Sequence, residues 1–344
     1  MAAIALNARF YTHVPTGMQR YGIEMAKRLY ADLDIVRPGR PMSGAEGHLW
    51  EQLYLPTASR GRLLWSPNNT GPVAVSRQIC TIHDIIPIER PDWFNAKFSA
   101  WYKWLLPRLV RRVEHIIAVS EFTKTRVLER FGIQPSKVTV VWNGVDGRYQ
   151  PRPLEEVRIM RRDLKIPSSH YLLCLGSLEP RKNLRRLLSA WQQISPRLPS
   201  EIILVIAGKV GASSVFADAG LTAIPDRVHF TGYVEEDQLP ALHSGALALV
   251  YPSLYEGFGL PPLEAMACGT PVVTSFGTSL SEVVGDAAVL VDPLDEMSIA
   301  DGIRQVVEDS TLRERLRTLG LARAKNITWE RSAKETRKVL SGFL

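Results

Sequence analysis

Short apolar segments alternate with amphipathic helical segments along most of this chain, and this alternation restricts the fold more than any other feature. Segments such as Ile116–Val119, Tyr171–Leu175 and Ile202–Ala207 are almost continuously apolar, as is typical of parallel strands buried on both faces. Helical patterns separate many of these segments, which is the arrangement of repeated βαβ units. The sequence therefore predicts an α/β protein with doubly wound parallel sheets. The other candidate strands are Ile79–Ile82, Lys137–Val141, Leu247–Val250 and Val272–Val273.

The chain has 344 residues, which is enough for two domains of ordinary size. Between Val145 and Ser169 the sequence becomes polar and contains prolines, and a new apolar segment begins directly afterwards. We therefore expect one Rossmann-like domain at residues 1–163 and a second at residues 164–328. Ligands bind at the carboxyl ends of the strands in such sheets, so residues that directly follow predicted strands are the candidates for a functional site.

Charge is distributed unevenly between the two halves. Residues 1–165 contain 25 Lys and Arg against 15 Asp and Glu, a net charge of +10, whereas the remaining residues have 17 against 20, a net charge of −3. A basic first half indicates an anionic partner, such as a membrane surface or a phosphate-linked acceptor. The sequence has no zinc-finger, RNP or basic-zipper pattern, so we do not expect a nucleic acid as this partner.

The sequence contains neither an apolar run long enough to span a bilayer nor a secretory signal. Cys80, Cys174 and Cys268 lie in separate apolar segments without the spacing of metal ligands, which indicates buried thiols in a reducing compartment. These features predict a cytoplasmic protein. The D-x-D sequence at 32–34 lies between a helix and a strand, which is a poor position for a metal site, so we predict no metal ion and no cofactor.

The segment from Glu256 to Ser275, EGFGLPPLEAMACGTPVVTS, places two glutamates around a glycine-rich turn and the start of a predicted helix. Gly257 and Gly259 let backbone amides approach a ligand closely. The amino end of the helix offers unpaired N–H groups and a positive dipole, which favour phosphate. Glu264, in the first turn, either accepts hydrogen bonds from sugar hydroxyls or caps the helix. With Glu256 in the loop, these features predict a sugar-nucleotide site.

Other predicted strand ends also carry polar residues. Arg181 and Lys182 follow the strand at 171–175, where two adjacent cations either neutralise a diphosphate or form a solvated start to the next helix. His83 follows the strand at 79–82. The remaining candidates are Asp84 beside it, and Ser120 and Asn143, each of which lines the ligand site or holds a turn.

The segment around Glu256 resembles the donor-binding motif of the retaining glycosyltransferases of family 4, in which two glutamates stand eight residues apart, as Glu256 and Glu264 do. The resemblance covers nearly the whole chain and includes N-G-V-D at 143–146. At Thr16 and Gly17 this chain has one glycine where many members have two. The resemblance implies the GT-B fold, in which two Rossmann-like domains face each other across a cleft. It also implies that the last helix, residues 329–344, packs on the first domain.

The resemblance further implies a role for each candidate residue. Arg181 and Lys182 would hold the donor diphosphate, and His83 would lie beside the transferred sugar. Glu256 would orient that sugar and Glu264 would hold the ribose. The catalytic residues so implied are His83, Glu256, Arg181 and Lys182. The donor-binding residues are Gly17, Arg181, Lys182, Tyr233, Val234, Glu256, Gly257, Phe258, Gly259, Leu260 and Glu264, and the acceptor or cleft residues are Thr16, Asp84, Ser120 and Asn143.

These observations predict a metal-independent retaining glycosyltransferase that moves a hexose from a nucleotide-diphosphate sugar to a saccharide or lipid-linked saccharide in bacterial polysaccharide assembly. We expect GDP-mannose as the donor, because the N-terminal pattern N-A-R-F…T-G-x-Q-R-Y resembles enzymes of surface-polysaccharide assembly that are often mannosyltransferases. The acceptor would then be a polyprenyl-diphosphate-linked saccharide. UDP-glucose, UDP-galactose and UDP-N-acetylglucosamine are alternative donors. A sugar-nucleotide 2-epimerase and a non-catalytic nucleotide-sugar-binding scaffold are the alternative functions.

The segment from Lys97 to His115 mixes aromatic residues with cations. This composition suits a membrane interface. It also suits an amphipathic helix whose apolar side faces the core, and we favour this second interpretation because Pro107 interrupts the pattern. The charge of the first half leaves open a transient, peripheral attachment to an anionic membrane surface.

Overall fold

The structure, a computed structural model, describes residues 3–12, 17–42, 44–176, 179–208 and 224–344, so that Thr16 lies outside the described residues. The chain forms two compact units. Unit 1 consists of Met1–Gly144 with Ile327–Leu344, and unit 2 consists of Val145–Asn326. Within the described ranges, each unit contains a six-stranded sheet of parallel strands with helical connections. The predicted α/β class with doubly wound parallel sheets is therefore confirmed.

The sheet of unit 1 has the strand order β2-β1-β3-β4-β5-β6, and every neighbouring pair is parallel. The carboxyl ends of all its strands therefore lie at one edge, where ligands bind in sheets of this kind. Four of the strands are buried along their whole length, as their apolar sequences predict. The strands are β1 (Ile4–Asn7), β2 (Leu33–Val36), β3 (Leu63–Ser66), β4 (Gln78–Ile82), β5 (His115–Ala118) and β6 (Val138–Val140).

The helices of unit 1 begin and end at residues suited to those positions. The Ser120 hydroxyl accepts a hydrogen bond from Thr123 N at 3.0 Å and so caps the helix Glu121–Phe131, which is followed by Gly132 as the C-cap with a φ of 61°. Helix α5 buries Tyr102 and Leu106 against the sheet and continues through Pro107. The described helices before unit 2 are α1 (Gly17–Arg28), α2 (Gly44–Leu49), α3 (Leu55–Ala58), α4 (Ile86–Glu89), α5 (Ala96–Arg112) and α6 (Glu121–Phe131), and a π-helical turn, Trp50–Tyr54, joins α2 to α3.

The sheet of unit 2 has the order β12-β11-β10-β7-β8-β9, again with parallel neighbours throughout. Its core includes the fully buried Trp191, which packs with apolar residues of the central strands. The strands are β7 (His170–Leu175), β8 (Ile202–Ala207), β9 (Val228–Gly232), β10 (Ala248–Tyr251), β11 (Val272–Ser275) and β12 (Ala288–Val291). The described helices are α7 (Leu154–Asp163), α8 (Leu184–Ile194), α9 (Leu239–Ser244), α10 (Leu260–Ala267), α11 (Ser279–Val284), α12 (Glu296–Glu308) and α13 (Ser310–Ala324).

The last helix, α14 (Trp329–Ser341), belongs to unit 1 and packs against α1. The rings of Tyr21 and Trp329, both buried, lie 6.1 Å apart. The backbone of α14 also approaches Gly144 so closely that a Cβ atom at Gly144 would lie 2.0 Å from Trp329 N. Glycine is therefore required where the first segment of unit 1 ends.

The division between the units falls at Gly144, whereas the sequence predicts a boundary at residue 163. The reason is that the polar segment after Val145 contains α7, which packs against α9 of unit 2. Val157 and Met160 of α7 are buried there. Polarity and proline content therefore mark the boundary region but not the residue at which the units separate.

Candidate active site

Arg181, Lys182 and Glu256 meet at the carboxyl edge of the unit 2 sheet. Arg181 and Lys182 follow β7, and Glu256 follows β10, which pairs with β7. Arg181 Nη1 donates a hydrogen bond to Glu256 Oε1 at 2.7 Å, and Lys182 Nζ donates to the same oxygen at 2.7 Å. Leu254 N donates to Arg181 O at 2.7 Å and ties the two loops together. The order of the strands thus brings together the cations and the carboxylate that the sequence singles out separately.

Two hydroxyl groups complete the described surroundings of Glu256. Tyr251 OH donates to Oε1 at 2.9 Å and Ser253 Oγ donates at 3.1 Å. Lys182 Nζ also donates to Tyr251 OH and lies 4.6 Å from the centroid of its ring. Neither Tyr251 nor Ser253 is among the site residues predicted from the sequence. Both lie between the predicted strand Leu247–Val250 and Glu256. Polar residues at the carboxyl end of a strand lie at the edge of the sheet where ligands bind, so this position could have identified them.

The charges in this cluster depend on one another. Burial alone would raise the pKa of the Glu256 carboxyl, but Arg181 and Lys182, with hydrogen bonds from Lys182 and Tyr251, lower this pKa to about 2. Glu256 is therefore ionised at neutral pH. Burial lowers the pKa of Lys182, and Glu256 opposes that shift. Glu179 also pairs with Arg181, but its carboxylate is 48% exposed and hence solvated. Apart from the solvated Glu179, the cluster therefore has two cations, both partly exposed, against one carboxylate, and this excess of positive charge suits a diphosphate.

The glycine-rich turn after Glu256 is held by Ser279, whose hydroxyl lies 2.7 Å from Glu256 O and 3.1 Å from Phe258 O and donates to one of them. Gly259 has a φ of 100°, and a Cβ atom there would lie 2.4 Å from Leu280 Cδ2, so this position requires glycine. Helix α10 begins at the next residue, Leu260. Pro261 and Pro262 carry no N–H, so the donors that this end of the helix offers to an anion are the N–H groups of Gly259 and Leu260, which have no acceptor within the helix.

The structure corrects the predicted position of Glu264. The sequence pattern predicts this residue in the first turn of the helix, but α10 begins at Leu260, so that Glu264 is its fifth residue. The N-cap is Gly259, in a left-handed conformation, and Pro261 and Pro262 fall inside the first turn. Glu264 is buried. A role as a first-turn cap is therefore excluded, and a role in binding sugar hydroxyls stays a prediction.

Tyr233 and Val234 follow β9, which β8 separates from β7. Gly208 N donates to Gly232 O at 2.9 Å, so the ends of β8 and β9 run side by side. The Tyr233 side chain is exposed and Val234 is buried. Both residues lie at the same carboxyl edge as Arg181 and Lys182, two strands away.

His83 lies at the carboxyl edge of the unit 1 sheet and is held on three sides. His83 N donates to Asn69 Oδ1 at 2.6 Å, and Thr123 Oγ1 donates to His83 O at 3.0 Å. The ring atom Nε2 lies 2.8 Å from Pro67 O. A carbonyl oxygen only accepts, so Nε2 carries the proton and Nδ1 keeps its lone pair. Burial lowers the pKa of His83 to about 4, although the bond to Pro67 opposes this shift, so the ring is neutral at physiological pH.

The other unit 1 candidates are placed as follows. Asp84 Oδ1 accepts a hydrogen bond from Ile86 N at 3.1 Å at the start of α4, and Ser120 caps α6. Both therefore hold local structure at the ligand edge. Asn143 is buried, and its Oδ1 accepts no hydrogen bond within the described part of the chain. Gly17 is the first residue of α1.

Among the described residues, no group of three or more His, Cys, Asp and Glu side chains is arranged to hold a metal ion. None of the described helices combines the length and apolar character needed to cross a membrane. Cys80, Cys174 and Cys268 are buried free thiols.

Comparison with known proteins gives matches over both units. Residues 157–321 match the family Glycosyl transferases group 1, and residues 73–149 match Glycosyltransferase Family 4. The chain is 33% identical over 276 residues to O-antigen chain mannosyltransferase B of Escherichia coli, and the aligned region covers 78% of this chain and 71% of that protein. It is 30% identical over 246 residues to O-antigen chain mannosyltransferase RfbU of Salmonella typhimurium, and this aligned region covers 71% of this chain and 65% of that protein. It spans only 32% of the serotype-specific mannosyltransferase WbdA of Escherichia coli, at 28% identity.

Two solved structures share the fold over almost the whole chain. One is WaaG, a glycosyltransferase involved in lipopolysaccharide biosynthesis, with a TM-score of 0.77 and 16% identity over 99% of this chain and 100% of that one. The other is Anabaena HepE in complex with UDP-glucose, with a TM-score of 0.76 and 18% identity over 98% and 99%. These two structures confirm the predicted GT-B fold, and the family matches together with the relative at 33% identity define the protein as a glycosyltransferase. Within this class of enzyme, the chain belongs to the family 4 glycosyltransferases.

Proposed function

We propose that this glycosyltransferase transfers mannose from GDP-mannose to a saccharide or lipid-linked saccharide, with retention of configuration and without a metal ion, in the assembly of a bacterial surface polysaccharide. The observation that carries the proposal is the pair of cations, Arg181 and Lys182, each held 2.7 Å from Glu256 at the ligand edge of unit 2. The similarity to two O-antigen chain mannosyltransferases supports the sugar and the process.

The proposed role of Arg181 and Lys182 follows from their charge. When the sugar departs from its donor, negative charge grows on the diphosphate. Cations that are already fixed near this position stabilise that charge without reorganising, which is commonly the largest contribution to catalysis. Glu256 fixes both cations before a donor binds. Phosphate neutralisation by these cations and by the amides of α10 removes the need for a divalent ion.

Retention of configuration requires either a carboxylate nucleophile or a substitution on one face of the sugar. Glu256 is a poor nucleophile, because two cations and two hydroxyls donate to its Oε1. We therefore assign it to orienting the sugar. In the one-face route, the acceptor oxygen bonds to the anomeric carbon as the bond from that carbon to the diphosphate breaks. The departing diphosphate takes the acceptor's proton.

His83 would act as a hydrogen-bond acceptor for the transferred sugar. Its Nε2 is occupied by Pro67 O, so Nδ1 is the ring atom that remains for a sugar hydroxyl. Because the ring is buried and neutral, it can accept this bond without competing protonation. In the proposal, Glu264 holds the ribose, and the backbone at Tyr233 and Val234 receives the base.

A thermal-shift panel tests the donor. Wild-type protein is heated with GDP-mannose, UDP-glucose, UDP-galactose, UDP-N-acetylglucosamine, GDP or UDP, each in the presence of EDTA. A ligand that binds only the folded state raises the melting temperature by mass action. We expect GDP-mannose and GDP to stabilise the protein most. Selective stabilisation by the uridine nucleotides would establish the alternative, a UDP-sugar donor. No stabilisation by any nucleotide would overturn the assignment of the site.

We also propose transient contact with an anionic membrane surface. Helix α5 buries one side, as the core-facing interpretation predicts, and exposes Phe98 and Trp104 beside Lys97, Lys103 and Arg108. Aromatic residues flanked by cations are typical of interfacial helices. The protein should therefore sediment with vesicles that contain phosphatidylglycerol and remain in solution with phosphatidylcholine alone. Equal sedimentation with both would contradict this contact.

A further inference from the structure

A second polar cluster, separate from the residues discussed above, lies at the carboxyl edge of the unit 1 sheet. Its centre is Glu51, which lies in the π-helical turn Trp50–Tyr54 and is 0% exposed. Turns of this type are rare and occur frequently at functional sites. Asn7 at the end of β1, and Arg9 and Thr70 in the segments that follow β1 and β3, surround the carboxylate.

The two oxygens of Glu51 have different surroundings. Oε1 accepts hydrogen bonds from Asn7 Nδ2 at 2.7 Å and from Thr70 Oγ1 at 2.9 Å. Oε2 accepts no hydrogen bond within the described part of the chain. The nearest ring nitrogen, His48 Nδ1, is 3.7 Å from Oε2 and 3.2 Å from Arg9 Nη1.

The bond from Arg9 fixes the role of His48. A guanidinium only donates hydrogen bonds, so His48 Nδ1 accepts from Arg9. An Nδ1 atom that accepts has no proton to give to Glu51 Oε2. The orphaned state of Oε2 therefore follows from the tautomer of His48 as well as from the distance between the two atoms.

Glu51 is nevertheless ionised. Burial alone would raise the pKa of this carboxyl, but the charge of Arg9, together with the hydrogen bond from Asn7, lowers it. A buried charged oxygen without a hydrogen bond costs free energy, and proteins retain such groups mainly where a ligand or an ordered water completes the site.

An orphaned donor belongs to Trp101, whose ring lies beside His48. The indole N–H of Trp101 is buried and donates no hydrogen bond within the described ranges. The rings of His48 and Trp101 are 4.7 Å apart. The cluster therefore holds one unsatisfied acceptor and one unsatisfied donor around the same imidazole. Its edge reaches the surface at Arg9 and His48, whose side chains are 13% and 17% exposed.

The cluster is joined directly to the support of His83. Thr70, which donates to Glu51, is the neighbour of Asn69, whose side chain accepts from His83 N. Pro67 of the same loop accepts the bond from His83 Nε2. One loop after β3 thus connects the Glu51 cluster with the residue that we assign to the transferred sugar.

We propose that Glu51, Arg9, His48 and Trp101 form a subsite for the acceptor sugar, in which Glu51 Oε2 accepts a bond from one hydroxyl and Trp101 Nε1 donates to another. Hydroxyl groups both donate and accept, so a polyol satisfies both orphaned atoms, whereas a phosphate would place negative charge beside Glu51. This inference rests on the proposed function, because it names the ligand class of the acceptor side.

Saturation-transfer NMR on the full chain tests the subsite with the methyl α-glycosides of mannose, glucose, galactose and N-acetylglucosamine. Glu51→Gln turns the oxygen acceptor into an amide, and Trp101→Phe removes the indole N–H while keeping a ring. If Glu51→Gln fails to fold, Trp101→Phe carries the test. The matched controls are Glu46→Gln, an exposed carboxylate of α2 that pairs with Arg40, and Trp93→Phe, an indole under Arg90. The donor-induced thermal shift is measured for every variant.

We expect the wild type to bind at least one glycoside. Each test variant should bind that glycoside about tenfold more weakly, because it loses one hydrogen bond to a charged or buried group. The controls should bind as the wild type does, and the donor-induced shift should persist in all variants. Unchanged binding in both test variants would overturn the inference and indicate an ordered water in the site. Absence of glycoside binding beside an intact donor shift would also overturn it, while leaving the proposed function standing. Loss of the donor shift in the wild type would instead remove the proposed function.

Discussion

Lys182 Nζ and Glu256 Oε1 lie 2.7 Å apart, although 74 positions separate the two residues in the chain. The contact exists because β7 and β10 are neighbouring parallel strands, so that the loops after them meet at one edge. Glu256 holds the ammonium group in place, and the ammonium group helps to keep Glu256 ionised. Neither residue has its functional state without the other, and several predictions of activity and stability depend on this coupling.

Replacing Lys182 with alanine should lower kcat for sugar transfer by about 100-fold to 1000-fold, the usual effect of removing one fixed group that stabilises developing charge. Arg185→Ala is the matched control, since Arg185 is an exposed cation of the neighbouring helix, and its kcat should equal that of the wild type. Initial rates at saturating donor and acceptor measure the effect. A Lys182→Ala variant with wild-type kcat would contradict the role assigned to this cation.

Glu256 should make the stability of unit 2 dependent on acid pH. Its folded-state pKa of about 2 is below the ordinary value of 4.5, so its contribution is complete above about pH 4.5 and is lost as the pH falls towards 2. The difference in unfolding free energy between wild type and Glu256→Gln should therefore shrink by about 2 kcal/mol between pH 7 and pH 3.

Urea denaturation at the two pH values measures this change for Glu256. The control is Glu308→Gln, which alters an exposed carboxylate that pairs with Arg304 at the surface, where ion pairs contribute little net energy. A Glu256 difference that is the same at pH 7 and pH 3 would show that this carboxyl is not held ionised by its two cations.

His83 should act in its neutral form over the physiological range. Its folded-state pKa of about 4 is below the ordinary value of 6.5, so the folded protein does not protonate this ring between pH 5.5 and 8. His83→Gln should lower kcat/KM by about tenfold or more, as expected for loss of a buried hydrogen bond to substrate. The ratio of wild-type to variant kcat/KM should remain constant from pH 5.5 to 8. A ratio that falls with a midpoint near 6.5 would show that the ring titrates as an exposed histidine does.

Gly259 should be irreplaceable in the turn before α10. Gly259→Ala strains a φ of 100° and also brings a methyl group to 2.4 Å from Leu280 Cδ2, so we expect weaker donor binding and a loss of about 1–3 kcal/mol of stability. Gly277→Ala separates the two causes, because Gly277 also has a positive φ, of 78°, but no atom lies within 4 Å of its added Cβ.

Thermal unfolding with and without the donor nucleotide measures both effects at Gly259. The Gly277 variant should lose less stability and keep its donor-induced shift. Equal losses in the two variants would mean that backbone strain, and not the contact with Leu280, accounts for the glycine.

Many strands and turns of this protein could be predicted from the sequence, because the burial of a segment depends largely on the apolar residues within that segment. The predicted segment Ile202–Ala207 is β8 with the same bounds, and the predicted segment Tyr171–Leu175 is β7 with one further residue at its start. Gly259 directly precedes α10, as a turn glycine predicts. The error at Glu264 has the same origin. Residue types around the turn indicate a helix, but only the backbone conformation of Gly259 shows at which residue it begins.

The sequence by itself determined the α/β class, the residues that form most strands, and the identities of the charged groups at their ends. Hydrophobic periodicity and turn residues are sufficient for these features, because they depend on each segment's own contact with water. Only the tertiary structure decided that Lys182, Tyr251 and Ser253 share one oxygen of Glu256, that α14 joins unit 1, and that Glu51 is buried beside Arg9 and His48. These contacts depend on which strands are neighbours and on where their loops meet, and residue spacing along a chain does not contain the order of strands in a sheet.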